Sequence, residues 1–339
     1  MKKALIFSLT VLMTVCGIFV FAALTTTCTS SSKATISETS FNFETRTVTL
    51  NNGKKMPILG LGTYRLTPEQ TENSVYHALI YGYRLIDTAN AYMNEKAVGR
   101  GIKRSGVPRG EIFITTKLWP ADYEDTERAI NETLARLGLD YIDLLLLHQP
   151  FGNYIEGYKG MEAAVKQGKV RSIGLSNFYG KRLDEILKIA TIPPAVLQVE
   201  SNPFFQNNAL REYVKTYGIT MNAWFPLGGR INERDPSSST QTLLFNNEII
   251  VSIAGAHNKT PAQIILRWHL QSGNIAIPGS TNPAHILENI SIFDFELADE
   301  EMQRLSTLET GITVFDFSNL DDQPNFGSFV APLDFNNQE

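Results

Sequence analysis

The chain has 339 residues, 43% of them hydrophobic and 19% charged, with a net charge of −5. That balance, with no long basic run, excludes nucleic acid as a partner. The composition is too apolar for a disordered chain, and the length suits one large core, since an α/β barrel takes about 250 residues.

The N-terminal segment stands apart. Met1, Lys2 and Lys3 give a positive start, residues 4–23 are almost wholly apolar, and residues 25–32 are small and polar. That order is the pattern of an export signal. The apolar run exceeds the usual signal core and approaches the roughly 20 residues that span a bilayer, so an uncleaved membrane anchor is the alternative. Both cysteines, Cys16 and Cys28, fall here, which leaves the body without a disulfide framework. Cys28 precedes Thr29 and three serines, an arrangement that resembles a bacterial lipoprotein processing site with a lipidated cysteine. Residues 1–28 thus read as a signal peptide or anchor, 29–45 as a polar tether and 46–339 as the folded body. An exported or membrane-anchored chain is expected, with a barrel facing the cytoplasm as the other arrangement.

In the body, residues 46–50 and 54–58 flank Asn51-Asn-Gly53 and read as a β-hairpin, because Asn-Gly suits the positive φ angles of a tight turn. Strands are expected at 58–62, 84–87, 112–117, 142–148, 170–175, 196–199, 219–224 and 275–277. Helices are expected at 68–81, 94–105, 122–137, 155–167, 181–190, 209–217 and 261–271, with helical segments at 285–289 and 299–308. Thr67 is an N-cap candidate, and Gly138, Gly168 and Gly218 are stop signals. A polar insertion separates the seventh strand from the helix at 261. Eight strands alternating with helices, without a break in composition, indicate a single-domain (β/α)8 TIM barrel. A doubly wound sheet would want a Gly-x-Gly-x-x-Gly turn after the first strand, and only Gly60 and Gly62 are there.

Polar residues recur at one end of these strands. One ends in Asp87, with Tyr92 shortly after it; the next three end in Lys117, His148 and Ser176-Asn177. They lie about 30 residues apart, the length of one strand and one crossover helix. In a closed barrel that end is the catalytic face. A carboxylate at the end of an apolar run needs a partner, and Lys117 is the candidate. Singly, each residue has a plain structural reading: Asp87 and Lys117 as a barrel ion pair, Tyr92 in packing, His148 as a core or capping histidine.

The motifs together resemble the aldo-keto reductase family. They are Gly60-Leu-Gly-Thr63, Asp87-Thr-Ala-x-x-Tyr92 with Asn94-Glu95, Thr116-Lys117-Leu-Trp119, His148-x-Pro150, Gly174-Leu-Ser-Asn-Phe178, Leu197-Gln-Val-Glu200 and Ile277-Pro-x-Ser280, in order over roughly 46–310. The resemblance implies NAD(P)H-dependent reduction of aldehydes or ketones by Asp87, Tyr92, Lys117 and His148. The chemistry is coherent on its own terms. A tyrosine hydroxyl titrates near 10 and is a poor acid at neutral pH. A lysine cation beside it favours phenolate, a carboxylate holds that lysine charged, and a neutral histidine orients the carbonyl. The hydride must come from a cofactor.

By resemblance, Ser176, Asn177 and Gln198 hold the nicotinamide carboxamide. Trp224 stands where the family usually stacks a tyrosine. Pro226, Leu227 and Gly228 fit the pyrophosphate loop, and Ser280, His285, Glu288 and Asn289 the adenosine end. Two departures matter. Gly279 and His285 replace the common lysine and arginine that bind the 2′-phosphate, whose charge is roughly −1.5 to −2. NADP(H) and NAD(H) both remain open as cofactor. Trp119 and His148 are the substrate-side candidates. The C-terminal residues, rich in Asp, Asn, Phe and Pro, match the family's substrate loop; Phe315, Phe317, Phe326 and Phe329 either line the pocket or pack outside it. The substrate is a small carbonyl compound, no metal is called for, and a monomer is expected. The alternatives are a sugar-phosphate isomerase or aldolase using Lys117 as Schiff-base nucleophile, and a non-catalytic nucleotide-sensing subunit.

Overall fold

A computed structural model describes residues 41–229, 239–315, 317, 320 and 338. The export or anchor segment with Cys16 and Cys28, most of the tether, Phe326 and Phe329 lie outside the described residues. Among the described residues no helix is long and apolar enough to cross a membrane.

A three-stranded antiparallel sheet comes first: β1 (Phe41–Asn42), β2 (Thr47–Thr49) and β3 (Lys55–Pro57). The expected Asn-Gly hairpin is β2–β3, closed where Leu50 N donates to Lys54 O at 2.8 Å. β1 pairs with β2, so the stretch read as tether already carries a strand at Phe41–Asn42. The chain then alternates: β4 (Leu61–Gly62), α1 (Pro68–Ile80), β5 (Leu85–Asp87), α2 (Glu95–Ser105), β6 (Phe113–Leu118), α3 (Thr126–Leu137), β7 (Ile142–Leu147), α4 (Tyr154–Lys166) and β8 (Val170–Ser176). It continues with α5 (Gly180–Ile189), β9 (Val196–Glu200), α6 (Asn208–Lys215), β10 (Thr220–Trp224), α7 (Thr240–Phe245), α8 (Glu248–His257), α9 (Pro261–Gln271), β11 (Asn274–Ala276), α10 (Pro283–Ile290) and α11 (Asp299–Ser306).

β4 to β11 form one parallel sheet in sequence order. Its two edges meet: Gly60 N donates to Ala276 O at 2.9 Å, Ala276 N to Ile58 O at 3.1 Å, and Gly62 N to Pro278 O at 3.1 Å. The sheet is therefore a closed (β/α)8 barrel. Side chains alternate along β7. Leu145 and Leu147 pack under α3 and α4 with Tyr158 and Met161, whereas Leu144 and Leu146 join the cluster of Ile114 and Val196. Thr67 caps α1 through a capping box with Gln70, as its position predicts.

The polar insertion was under-read. It contains α7 and α8, each started by an Asx- or serine-type cap at Ser239 and Asn247. Neither helix carries a strong amphipathic stripe: Leu243 and Val251 are exposed while Leu244 and Ile250 are buried one position away.

Gly99 marks the closest approach of α2 to α3, where a Cβ would lie 2.3 Å from the Leu137 carbonyl oxygen. Gly99→Ala should destabilise the fold by about 1–3 kcal/mol through overpacking. The check is a lowered urea midpoint with unchanged slope. An unshifted midpoint would mean that the helices separate freely.

Candidate active site

Lys117 lies one residue before the end of β6 and is 1% exposed. Its ammonium donates to Asp87 Oδ1 at 2.6 Å, to the Thr88 carbonyl at 2.8 Å and to the Tyr92 hydroxyl at 3.2 Å. Three protons thus meet three oxygens. Asp87 ends β5 and accepts on Oδ2 from Gln198 Nε2 at 2.7 Å. Register explains the meeting. Asp87 lies opposite Thr115, so Lys117, two residues on, projects from the same face of β6 as Thr115 and nearer the mouth. Tyr92 is turned back to Lys117 by a 3₁₀ turn, Asn90–Tyr92, ended by Met93 in the left-handed region. Buried Asn94 braces that turn, donating to the Thr63 carbonyl at 2.9 Å and accepting from the Thr88 hydroxyl at 2.9 Å.

Rings surround this centre. His148 follows β7; its ring lies 5.6 Å from Tyr92 and 5.2 Å from Trp119, edge-on to both. Tyr64 lies 5.0 Å from Tyr92 and is 42% exposed. Tyr64 carried no motif in the sequence, although it lies two residues past the first barrel strand, where mouth residues are found. Burial raises Asp87 and lowers Lys117 from their ordinary values, and their mutual attraction opposes both shifts. Burial and then the Lys117 charge push His148 well below the usual imidazole value, so it is neutral at physiological pH. Its Nδ1 is buried without a hydrogen-bond partner among the described residues.

The tyrosine departs from expectation. Loss of water, then the Asp87 charge, then Tyr64 push the Tyr92 phenol well above 10. Lys117 donates to the same hydroxyl at 3.2 Å, which favours the phenolate and works against these influences.

A model of the Aldo/keto reductase family matches residues 58–310. The chain belongs to that family. Morphine 6-dehydrogenase of Pseudomonas putida is 43% identical over 289 residues, covering 84% of this chain and 98% of that protein. Glyoxal reductase of Bacillus subtilis is 45% identical over 266 residues, covering 77% and 92%. Among solved structures, a Bombyx mori aldo-keto reductase in complex with NADP superposes with a TM-score of 0.76 at 34% identity, covering 83% of this chain and 98% of that one. This aldo-keto reductase is an NAD(P)-dependent oxidoreductase that reduces aldehydes or ketones. The isomerase or aldolase reading and the non-catalytic reading fall with that finding.

The residues expected to hold the cofactor lie along one side of the reductase's mouth. Ser176, which ends β8, is the Cα partner of Gln198 in the middle of β9, and both are buried. Asn177, left-handed at φ 65, donates to the His148 carbonyl at 3.3 Å and Gln149 Oε1 at 3.2 Å, and accepts from Trp224 Nε1 at 2.9 Å. The indole at the expected stacking position is thus tied to an expected carboxamide ligand. Pro226, Leu227 and Gly228 follow β10; Gly228 has φ +81, and a Cβ there would lie 2.7 Å from the Gln241 amide nitrogen. The glycine thus lets the loop pack directly on the start of α7. Beyond β11, Asn289 is buried and Ser280 half-buried, while Glu288 accepts from the Thr260 hydroxyl at 2.6 Å. Gly279 and His285 are exposed, and neither supplies a permanent cation. The amide and indole side chains suit the carboxamide and ring of a nicotinamide dinucleotide, and Gly279 and His285 stand in place of the usual lysine and arginine for a 2′-phosphate. Gln198 has one constraint that sequence did not reveal: one amide proton is committed to Asp87.

A second histidine supports the loop. His269 on α9 is fully buried and bonds the Pro226 carbonyl through Nε2 at 3.0 Å; burial lowers it to about 3. Unfolding frees it to titrate near 6.5, so between those values the unfolded chain binds one more proton and stability falls as pH falls. Replacing His269 with Gln should flatten the stability–pH slope between pH 4 and 6 by up to about 1.4 kcal/mol per unit. Equal slopes in urea titrations of the two proteins would contradict the neutral, buried imidazole.

Proposed function

We propose that Tyr92 is the proton donor of this reductase, that Lys117 and Asp87 hold it in place, and that His148 orients the carbonyl oxygen. The observation that carries the reading is the contact of one ammonium with both Asp87 and the Tyr92 hydroxyl. When bound, the reduced nicotinamide supplies the hydride. As negative charge grows on the carbonyl oxygen, Tyr92 releases to it the proton that its raised pKa otherwise retains. Lys117 then faces a nascent phenolate 3.2 Å away and stabilises it. Neutral His148, with Nδ1 unpartnered among the described residues, donates from Nε2 to the same oxygen. Trp119 and Tyr64 form the substrate walls. Tyr92→Phe should lower kcat/KM for a model aldehyde by about a hundredfold or more, the usual contribution of a general acid, with cofactor affinity unchanged. Reduction at the parent rate would remove Tyr92 from the role.

For the cofactor, we propose Ser176, Asn177 and Gln198 at the carboxamide, Trp224 at the ring face, residues 226–228 at the pyrophosphate, and Ser280, His285, Glu288 and Asn289 at the adenosine. NADH then serves nearly as well as NADPH, because neither glycine nor histidine supplies the fixed cation of a lysine or an arginine. His285→Arg should raise NADPH affinity by about tenfold, the equivalent of about 1.4 kcal/mol, and leave NADH unaffected. Gly279→Lys is the less clean change, since its Cβ would lie 3.0 Å from the Gly62 carbonyl oxygen. Fluorescence titration of both cofactors checks this; a strong NADPH preference in the unaltered protein would point to other cations.

The N-terminal segment, in this reading, exports or anchors the chain, with lipid on Cys28 and a polar tether leading to β1. Its positive start and apolar run support this. A monomer is the proposed assembly. Protease accessibility of the barrel in intact cells assigns its side of the membrane: digestion from outside supports export, and protection supports a cytoplasmic barrel.

A further inference from the structure

Glu200 ends β9 and is 1% exposed, yet no cation pairs with it among the described residues. Its carboxylate is satisfied by the start of the C-terminal tail. The Thr313 hydroxyl donates to Oε2 at 2.6 Å, Val314 N reaches Oε1 at 3.0 Å and Oε2 at 2.9 Å, and Phe315 N reaches Oε2 at 3.4 Å. Val196, Gln198 and Glu200 alternate along β9, so they share the face opposite Leu197 and Val199, which pack under the helices. One strand face thus holds Asp87 through Gln198 and, one step nearer the mouth, the tail through Glu200.

What the carboxylate fixes is not a remote strap. Val314 Cγ2 would lie 3.1 Å from a Cβ at Gly229, just past the loop after β10. The Phe315 ring lies 6.2 Å from Trp224 and 6.3 Å from Phe317, which packs with Phe151 and Leu320. Trp224 is itself the Cα partner of Glu200. Upstream, Thr310 N and Gly311 N donate to the Phe204 carbonyl, so Glu200 is the next attachment along the tail.

We propose that Glu200 is a specificity-determining positioning residue: its carboxylate holds residues 313–315 against Trp224 and Gly229 and so fixes the width of the opening through which the carbonyl substrate enters. Glu200 touches no reacting atom. It is buried as an acceptor for three backbone or hydroxyl donors, and losing an acceptor there leaves those donors unpaired. The tail then loses its fixed distance from Trp224, which penalises small substrates that need a close wall and relieves bulky ones. The inference rests on the proposed reading of the mouth as the substrate site.

The test is Glu200→Gln, which keeps the shape but turns an amide N–H₂ toward N–H donors. The reading is kcat/KM for 2-naphthaldehyde relative to propanal. That ratio should rise by about fivefold, within the range that pocket fit alone commands, because KM for propanal rises while its kcat holds. Thr313→Val leaves the barrel untouched, removes the 2.6 Å bond and should move the ratio the same way by about twofold. It serves alone if the first variant does not fold. An unchanged or lowered ratio, or equal losses for both aldehydes, overturns the proposal, since a merely structural role slows both alike. Failure of the underlying reading is separate: it shows as an unaltered protein whose aldehyde reduction survives Tyr92→Phe.

Discussion

Everything at the barrel mouth depends on the cost of burying one ion pair. Asp87 and Lys117 are each about 1% exposed, and moving either charge out of water costs several kcal/mol. The site offsets that cost with geometry: a 2.6 Å contact, a carbonyl for the second lysine proton, a phenol for the third and a glutamine amide for the other carboxylate oxygen. Removing any member leaves a buried polar group unpaired, so the constellation stands as a unit. The same constraint makes the tyrosine a guarded donor. Burial, and then the nearby Asp87 charge, hold the phenol in its protonated form at rest.

The barrel meets this constraint by register. β5, β6 and β9 bring Asp87, Lys117 and Gln198 together from distant parts of the chain, and each strand is buried along its whole length. Turns after the strands then aim the rings. Arg65, Met93, Asn177 and Phe225 adopt left-handed backbone, and each directly follows Tyr64, Tyr92, Ser176 or Trp224. For residues other than glycine that conformation is uncommon and concentrates at functional sites. Strain is thus placed one step beyond residues of the mouth.

The barrel and the four central residues were legible because their signals are local and periodic. Short apolar runs recur about every 30 residues, and each ends in a polar group that an isolated strand has no reason to carry. Other features depend on three-dimensional neighbours. The net rise of the Tyr92 pKa was not legible, because sequence shows a cation nearby but not how deeply the phenol is buried. The commitment of Gln198 to Asp87, the Trp224–Asn177 bond and the service of Glu200 to the tail are meetings across 111, 47 and 113 residues, which no motif encodes. α7 and α8 escaped because they are short helices inside a polar stretch, where buried Leu244 and Ile250 adjoin exposed apolar neighbours. Tyr64 was not legible for a different reason: a half-exposed tyrosine after a strand is ordinary in sequence, and only its ring contact with Tyr92 places it at the site.

The direct test of the account is a double-mutant cycle on the ion pair. Asp87→Asn, Lys117→Met and the double variant are compared with the parent by kcat/KM for one aldehyde, with cofactor affinity measured alongside. If the pair acts as a unit, each single change costs about a hundredfold or more and the double change costs scarcely more than the worse single one. Losses that simply multiply, with cofactor binding intact, would show that Asp87 and Lys117 act independently and would contradict the account.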